Sequence, residues 1–335
     1  MSEKITILGA GSWGMACARL LERNDHVVTL WAYDPREYQR LIRTRGDSEK
    51  LPEFTLAEDI HITNDLKASL ADCRLIILAI PSQHVRSALR NSAEVIAPNV
   101  SVVNLAKGVE TGTLKRMSEV IREEWNIPPE NIATLSGPSH AEEVAVDMPT
   151  TVVVAATSNG LATRIQAIFS GRTFRVYTSD DVVGVELGGS LKNVIAIASG
   201  IVDGLGFGDN TKGALVTRGL AEMTRLGVAH GARLETFAGL SGLGDLVATC
   251  TSKHSRNRWV GEQIGRGKKL HEILLSMTMV AEGVETARSA RDLAGRMGVE
   301  MPITEEVFQV LYEAKPPQAA LGNLMGRTLK AEVWQ

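Results

Sequence analysis

KITILGAGSWGMACARLLER, residues 4–23, decides the fold of this chain. Lys4 to Leu8 carries the apolar run of a short buried strand, Gly9, Gly11 and Gly14 follow, and Met15 to about Arg23 has helical spacing. A glycine turn between strand and helix has three tasks: to turn tightly, to let backbone approach a pyrophosphate, and to pack the helix closely on the strand. The helix N-terminus then offers free N–H groups and a partial positive charge to phosphates. A second strand signal, His26 to Trp31, completes a dinucleotide-binding unit. Asp34 stands beyond it, at the spacing of about 20 residues where a carboxylate accepts from the ribose hydroxyls of NAD and repels the extra phosphate of NADP. Arg36 nearby suits that phosphate instead, so the cofactor is NAD or NADP with the preference open.

Outward from this unit, strand and helix signals alternate. Leu75 to Ile80 and Val100 to Leu105 are continuous apolar runs of the kind found in central parallel strands. Ligands of such sheets sit beyond the carboxyl ends of the strands, where Pro81, Ser82 and Lys107 fall. A solvated loop lysine is the competing reading of Lys107. Ile132 to Leu135 precedes SGPSHAEEV, in which Gly137 and Pro138 break the strand and Ser139 is placed to cap a helix beginning at His140. His140 there reads as structural more readily than as a catalytic acid. Thr150 to Ala156 and Thr173 to Tyr177 add strands, and after Thr178 strand signals stop. The fold class is α/β plus all-α: a Rossmann-type doubly wound sheet over residues 1–180, then a helical unit over 181–335.

The helical half opens with VVGVELGGSLKNVIAIASGIV, residues 182–202, long enough for one helix and carrying two charges, Glu186 and Lys192. Gly188, Gly189, Ala196 and Ser199 share the face of Lys192, so small side chains let something approach the ammonium. A buried ammonium must pair, snorkel to water or lose its proton. A desolvated lysine whose proton takes part in chemistry is the reading that the rest of the half supports. GLSGLGD, residues 239–245, ends in Asp245, an ionic partner for Lys192 or else a helix N-cap. SRNR, residues 255–258, places an N-cap serine before Arg256 and Asn257. Cations at a helix N-terminus oppose the macrodipole unless an anion sits there, which points to a small phosphate. The glycines of 204–208 lack a following GK[ST] and make no P-loop.

Composition excludes several classes. The 335 residues are 44% hydrophobic and 22% charged with net charge −3, which offers no global attraction to nucleic acid or an anionic membrane. Cys17, Cys73 and Cys250 form no CxxC pair, and the histidines lack ligand spacing, so reduced thiols and no metal are expected. Neither a signal peptide nor an apolar run of about 20 residues is read, which implies a cytoplasmic protein.

Seven ordered blocks resemble the bacterial NAD(P)-dependent glycerol-3-phosphate dehydrogenases over nearly the whole chain. They are GAGSWG at 9–14, NLAKG at 104–108, SGPSHAEEV at 136–144, GGSLKNVIAI at 188–197, GLGDLVATC at 242–250, SRNR at 255–258 and VAEGVET at 280–286. The resemblance implies a Rossmann domain joined to a helical domain like that of 6-phosphogluconate dehydrogenase. It also implies interconversion of dihydroxyacetone phosphate and sn-glycerol 3-phosphate, with supply of the latter to phospholipid synthesis. In matching positions Lys192 would be the proton donor or acceptor, and Lys107, Gly137, Ser139, Asp245, Ser255, Arg256 and Asn257 would join it around the substrate. Gly9, Gly11, Ser12, Trp13, Gly14, Lys107, Ala141, Arg256, Val280 and Glu282 would contact the cofactor. Tyr33 and Asp34 stand where many members carry a basic residue, which puts the family's common use of NADPH in doubt for this chain. A homodimer is a family-level expectation. The nearest rivals are a dehydrogenase of a carboxylate-bearing hydroxy acid, which would need a carboxylate clamp, and a non-catalytic NAD-binding redox sensor, which would need no lysine in a buried helix.

Overall fold

The computed structural model describes residues 2–97, 99–329 and 331–332. Eight strands form one sheet: β1 (Lys4–Leu8), β2 (Val27–Trp31), β3 (His61–Thr63), β4 (Leu75–Leu78), β5 (Ser101–Asn104), β6 (Ile132–Ser136), β7 (Thr150–Ala156) and β8 (Phe174–Ser179). Their order is β3-β2-β1-β4-β5-β6-β7-β8, parallel throughout except between β6 and β7. Helices α1 (Ser12–Arg23), α2 (Pro35–Thr44), α3 (Leu66–Leu70), α4 (Ser82–Arg90), α5 (Met117–Trp125), α6 (Ala141–Ala145) and α7 (Asn159–Phe169) connect the strands. Strand order reverses between β1 and β4, so a crevice opens where Gly9 leaves one strand and Pro81 follows the other. β3 has no counterpart in the sequence reading: the three residues His-Ile-Thr are too few to show a period.

No strand follows β8 among the described residues. Instead α8 (Val182–Gly204) and α9 (Asp209–Ala229) are followed by α10 (Leu234–Ala238), α11 (Asp245–Thr251) and α12 (Arg256–Gly265). α13 (Leu270–Leu275), α14 (Glu282–Met297), α15 (Pro302–Tyr312) and α16 (Pro317–Met325) complete the chain. Glu282 and Glu285 in the first turn of α14 suit the positive end of the helix dipole.

α8 is the axis of this half, and Gly184 to Val202 are buried without a break. Glycines weaken a helix by about 1 kcal/mol each, but here they admit neighbouring backbone. A Cβ on Gly200 would overlap the Arg258 carbonyl, and one on Gly261 of α12 would overlap the Ile197 carbonyl, so α8 and α12 cross backbone against backbone. By length and composition α8 is apolar enough to cross a membrane, contrary to the reading that no run approaches that length, yet its most apolar window is entirely buried inside the protein.

Its three charges, Glu186, Lys192 and Asp203, are all paired. Glu186 accepts from the Ser118 N–H at 2.8 Å, the Ser118 hydroxyl at 2.6 Å and Arg116 Nη1 at 2.7 Å. Because Arg116 and Ser118 belong to the start of α5, this carboxylate fixes α8 against the sheet-bearing half. Gly200→Ala should therefore destabilise the protein by about 1–3 kcal/mol, read as a lowered denaturation midpoint, whereas an alanine at the unobstructed Gly295 should leave the midpoint unchanged or raised.

Candidate active site

Three segments converge on the Lys192 ammonium. α8 carries Lys192, α11 carries Asp245 and Thr249 one turn apart, and the loop after β5 carries Lys107. Lys192 Nζ lies 2.8 Å from Asp245 Oδ1 and donates to Thr249 Oγ1 at 2.6 Å. The Thr249 hydroxyl donates in turn to Asp245 Oδ1 at 3.1 Å. Lys107 Nζ takes the other carboxylate oxygen at 2.7 Å and also donates to the Gly137 carbonyl at 3.1 Å. One carboxylate thus serves two ammoniums.

Lys192 is 5% exposed and Asp245 2%. Burial pushes the Lys192 ammonium down to about 8, against the pull of Asp245 and with help from Lys107. Burial also pushes the Asp245 carboxyl up, but Lys107 and Lys192 outweigh it and hold it below the ordinary carboxylate range. The result is an ammonium that is charged near neutrality and able to part with its proton at modest cost.

The glycines around Lys192 explain how the segments meet. A Cβ on Gly188 would stand 2.8 Å from the Ser241 carbonyl oxygen, and one on Gly189 would overlap the Ser136 hydroxyl, so α8 abuts both the π-helical turn at Leu240–Gly244 and the end of β6. Asp245 is the first residue of α11 and not its cap, because that turn runs straight into the helix. Ser139 does not cap α6 either. Its hydroxyl donates to the Gly137 carbonyl at 2.9 Å, the helix begins at Ala141, and His140 holds the cap position without a side-chain capping bond.

Lys192 and Lys107 open onto a cavity of about 600 Å³ between the crevice of the sheet and helices α8, α12 and α14. Of the residues singled out in the sequence, Gly9, Gly11, Ser12, Trp13, Tyr33, Ser139, Ala141, Ser255, Arg256, Asn257, Val280 and Glu282 line it too. Gly14, Asp34, Gly137 and Asp245 do not line it. Gly14 instead packs α1 onto the turn, where a Cβ would overlap the Gly9 carbonyl. Gly9 has φ +113°, and its Cβ would stand 2.6 Å from the Ala79 carbonyl oxygen, whereas nothing lies within 4 Å of a Cβ on Gly11. The open face at Gly11, its place as the N-cap of α1 and the length of the cavity fit a dinucleotide with its pyrophosphate at that turn.

The outer end of the cavity differs from the sequence reading. Asp34 caps α2, accepting from the Arg36 N–H at 2.7 Å, while Glu37 and Lys50 line the cavity beside Tyr33 and form an ion pair. Nothing in the sequence spacing ties Lys50 to Glu37.

On the far wall, Arg256 Nη1 donates to the Val280 carbonyl at 2.9 Å, the Ser12 hydroxyl contacts Met279 Sδ at 3.6 Å, and Glu282 Oε1 accepts from the Ser82 N–H at 2.9 Å. Residues 279–282 thereby bridge the two halves across the glycine turn. Asn257 donates to Asn193 Oδ1 at 2.9 Å and accepts from the Gly283 N–H, and Asn193 donates to the Lys107 carbonyl at 3.1 Å. This chain of amides links the SRNR helix to the loop of the second lysine. Asn193 and Thr249 escaped the sequence reading, although Thr249 lies one helical turn after Asp245 and so shares its face. Ser255 caps α12, accepting from the Arg258 N–H at 3.2 Å.

Comparison with known proteins agrees over the whole chain. Residues 4–162 match the model for the NAD-dependent glycerol-3-phosphate dehydrogenase N-terminus, and residues 181–322 match that for the C-terminus. A glycerol-3-phosphate dehydrogenase (NAD(P)+) of Geobacter sp. strain M21 is 53% identical over 335 residues, covering 99% of each chain. That of Fusobacterium nucleatum is 48% identical over 330 residues, covering 98% of each. The crystal structure of glycerol-3-phosphate dehydrogenase from Coxiella burnetii superposes with a TM-score of 0.94 at 38% identity, covering 97% of this chain and 99% of that one.

Asp245→Asn would leave two ammoniums facing each other without a counter-charge. It should lower stability at pH 6 by about 3–5 kcal/mol and by less at pH 9. The lowered pKa of Lys192 penalises the folded state while that group is charged, and the penalty lifts as pH rises through its folded value. Denaturant titration at the two pH values checks both the size and the order.

Proposed function

The chain belongs to the family of NAD-dependent glycerol-3-phosphate dehydrogenases, and on that premise we propose that Lys192 exchanges the proton in the interconversion of dihydroxyacetone phosphate and sn-glycerol 3-phosphate. The observation that carries the assignment is the shared carboxylate. Asp245 keeps a buried ammonium in place 2.8 Å away, and the opposing pull of burial leaves its pKa at about 8.

When bound, NAD(P)(H) supplies or accepts the hydride at C2 of the substrate. The protein handles the charge that this creates on the oxygen. Lys192 Nζ donates a proton to it and, with Lys107, provides a positive field that is already oriented, so little reorganisation is needed as charge develops. Asp245 and Thr249 hold the Lys192 ammonium in place. With Thr249 and Asp245 each facing one proton of Nζ, the third ammonium proton stays available to the substrate.

The N-terminus of α12, with Ser255, Arg256 and Asn257, is assigned to the substrate phosphate. Holding that non-reacting group fixes the carbonyl against the lysine and lowers the entropic part of the barrier. Gly137 and Ser139 support the substrate side. In this reading residues 1–180 bind the dinucleotide and residues 181–335 bind the substrate.

Cofactor preference is assigned to the outer end of the cavity. Glu37 and Asp47 neutralise Lys50, with Asp47 Oδ2 4.0 Å from its Nζ. A 2′-phosphate would have to draw Lys50 away from both, and this favours NADH. The wider role is a cytoplasmic supply of glycerol 3-phosphate for phospholipid synthesis by a homodimer, consistent with three free, buried cysteines.

Initial rates of nicotinamide oxidation with dihydroxyacetone phosphate test the reaction, and NADH should be the better donor. Glu37→Gln should narrow that preference by freeing Lys50, and an unchanged ratio would reject the ion pair as its cause. Lys192→Met should lower turnover by about 100-fold or more while leaving nucleotide binding intact. Turnover close to the parent's would remove Lys192 from the mechanism.

A further inference from the structure

Dihydroxyacetone phosphate offers three groups for recognition: the phosphate, the ketone and a free hydroxyl. The first two have partners in the assignment above, and the third has none. His140 is placed to supply one. It occupies the N-cap position of α6, with φ −64° and ψ 129°, and lines the cavity together with Lys107, Lys192 and Thr249.

Three observations define its chemistry. The ring is half-buried, within electrostatic reach of Lys192, Lys107 and Asp245. Burial comes first, then the two ammoniums, and together they push the imidazole down to about 4, so it is neutral at physiological pH. Its ring also lies 6.1 Å from that of His254, centroid to centroid and tilted by 48°, so a second imidazole walls it on the side towards Ser255.

A neutral imidazole has one donor and one acceptor nitrogen. Its acceptor nitrogen carries a lone pair that a hydroxyl in the cavity it shares with Lys192 and Thr249 can use. Such a lone pair is a poor partner for a phosphate, where a cation serves better, and a good one for a hydroxyl.

Resting on the reaction proposed above, we propose that His140 is a specificity-determining residue that accepts a hydrogen bond from the free hydroxyl of the substrate, selecting a hydroxymethyl ketone phosphate over a methyl ketone phosphate. A site that hydrogen-bonds a substrate hydroxyl discriminates strongly against an analogue lacking it, because the protein's buried polar group is left unpaired.

The test compares kcat/KM for dihydroxyacetone phosphate and for acetol phosphate, its analogue without the free hydroxyl, in the parent protein, His140→Phe and His140→Gln. The parent should prefer the hydroxylated substrate. His140→Phe should lose about 10- to 100-fold on that substrate and little on acetol phosphate, so the preference collapses. His140→Gln, whose side-chain oxygen accepts a hydrogen bond, should recover part of it. Thermal melts establish that each variant is folded, and His140→Ala replaces the phenylalanine variant if the latter is not. Equal losses on both substrates would mean that His140 acts through Lys192 or through packing, and an unchanged preference would mean no contact with the hydroxyl. Either result overturns the proposal. Failure of the parent protein to oxidise nicotinamide with either substrate is a different outcome and would strike the reaction itself.

Discussion

One buried carboxylate between two ammoniums organises this molecule. Asp245 is reached by Lys192 from the long helix α8 and by Lys107 from the loop after β5, so a single ion cluster joins the sheet-bearing half to the helical half. A buried ammonium without a partner would cost several kcal/mol. The apolar length of α8 makes that cost unavoidable unless another element delivers a negative charge to the same depth. The π-helical turn before α11 does so, and the glycines at 188 and 189 clear the space for the approach. The rest of the helical half packs around the axis so defined.

The cluster needs a fixed geometry between halves, and two further contacts provide it. Glu186, nearly two turns before Lys192 on the same helix, binds the start of α5 through Arg116 and Ser118. Asn193, directly after Lys192, ties the Lys107 backbone to Asn257 at the start of α12. Lys192 is therefore held at the level of the helix backbone as well as at its own ammonium. This arrangement suits a proton donor, because a shift of the helix would alter both the reaction distance and the pKa.

Much of this was legible in the sequence, for identifiable physical reasons. The strand–glycine–helix unit at residues 4–23 is local, and its glycines are required by contacts within the unit and with Ala79. The oddity of Lys192 is equally local, since an apolar helix announces a charge it cannot expose. Asp245 was one of two open readings, as ion partner or as cap, and the geometry chose the former because the π turn displaces the cap by one residue. Ser139 went the other way: it has the identity of a helix cap, but its hydroxyl turns back to Gly137. What the sequence hid depends on distant segments meeting. Lys50 reaches Glu37 across a loop, Glu186 reaches Ser118 across 68 positions, and β3 is too short to display alternation.

The central claim is that Lys192 works as a proton donor because burial and Asp245 together set its pKa at about 8. The most direct test is the pH dependence of kcat/KM in both directions of the reaction, measured on the same protein. Ketone reduction requires the ammonium, so its rate should fall as pH rises through about 8. Alcohol oxidation requires the free amine, so its rate should rise over the same interval, and Asp245→Asn should move both limbs to lower pH. Limbs running in the same direction, or an Asp245→Asn variant whose profile is unmoved, would contradict the account.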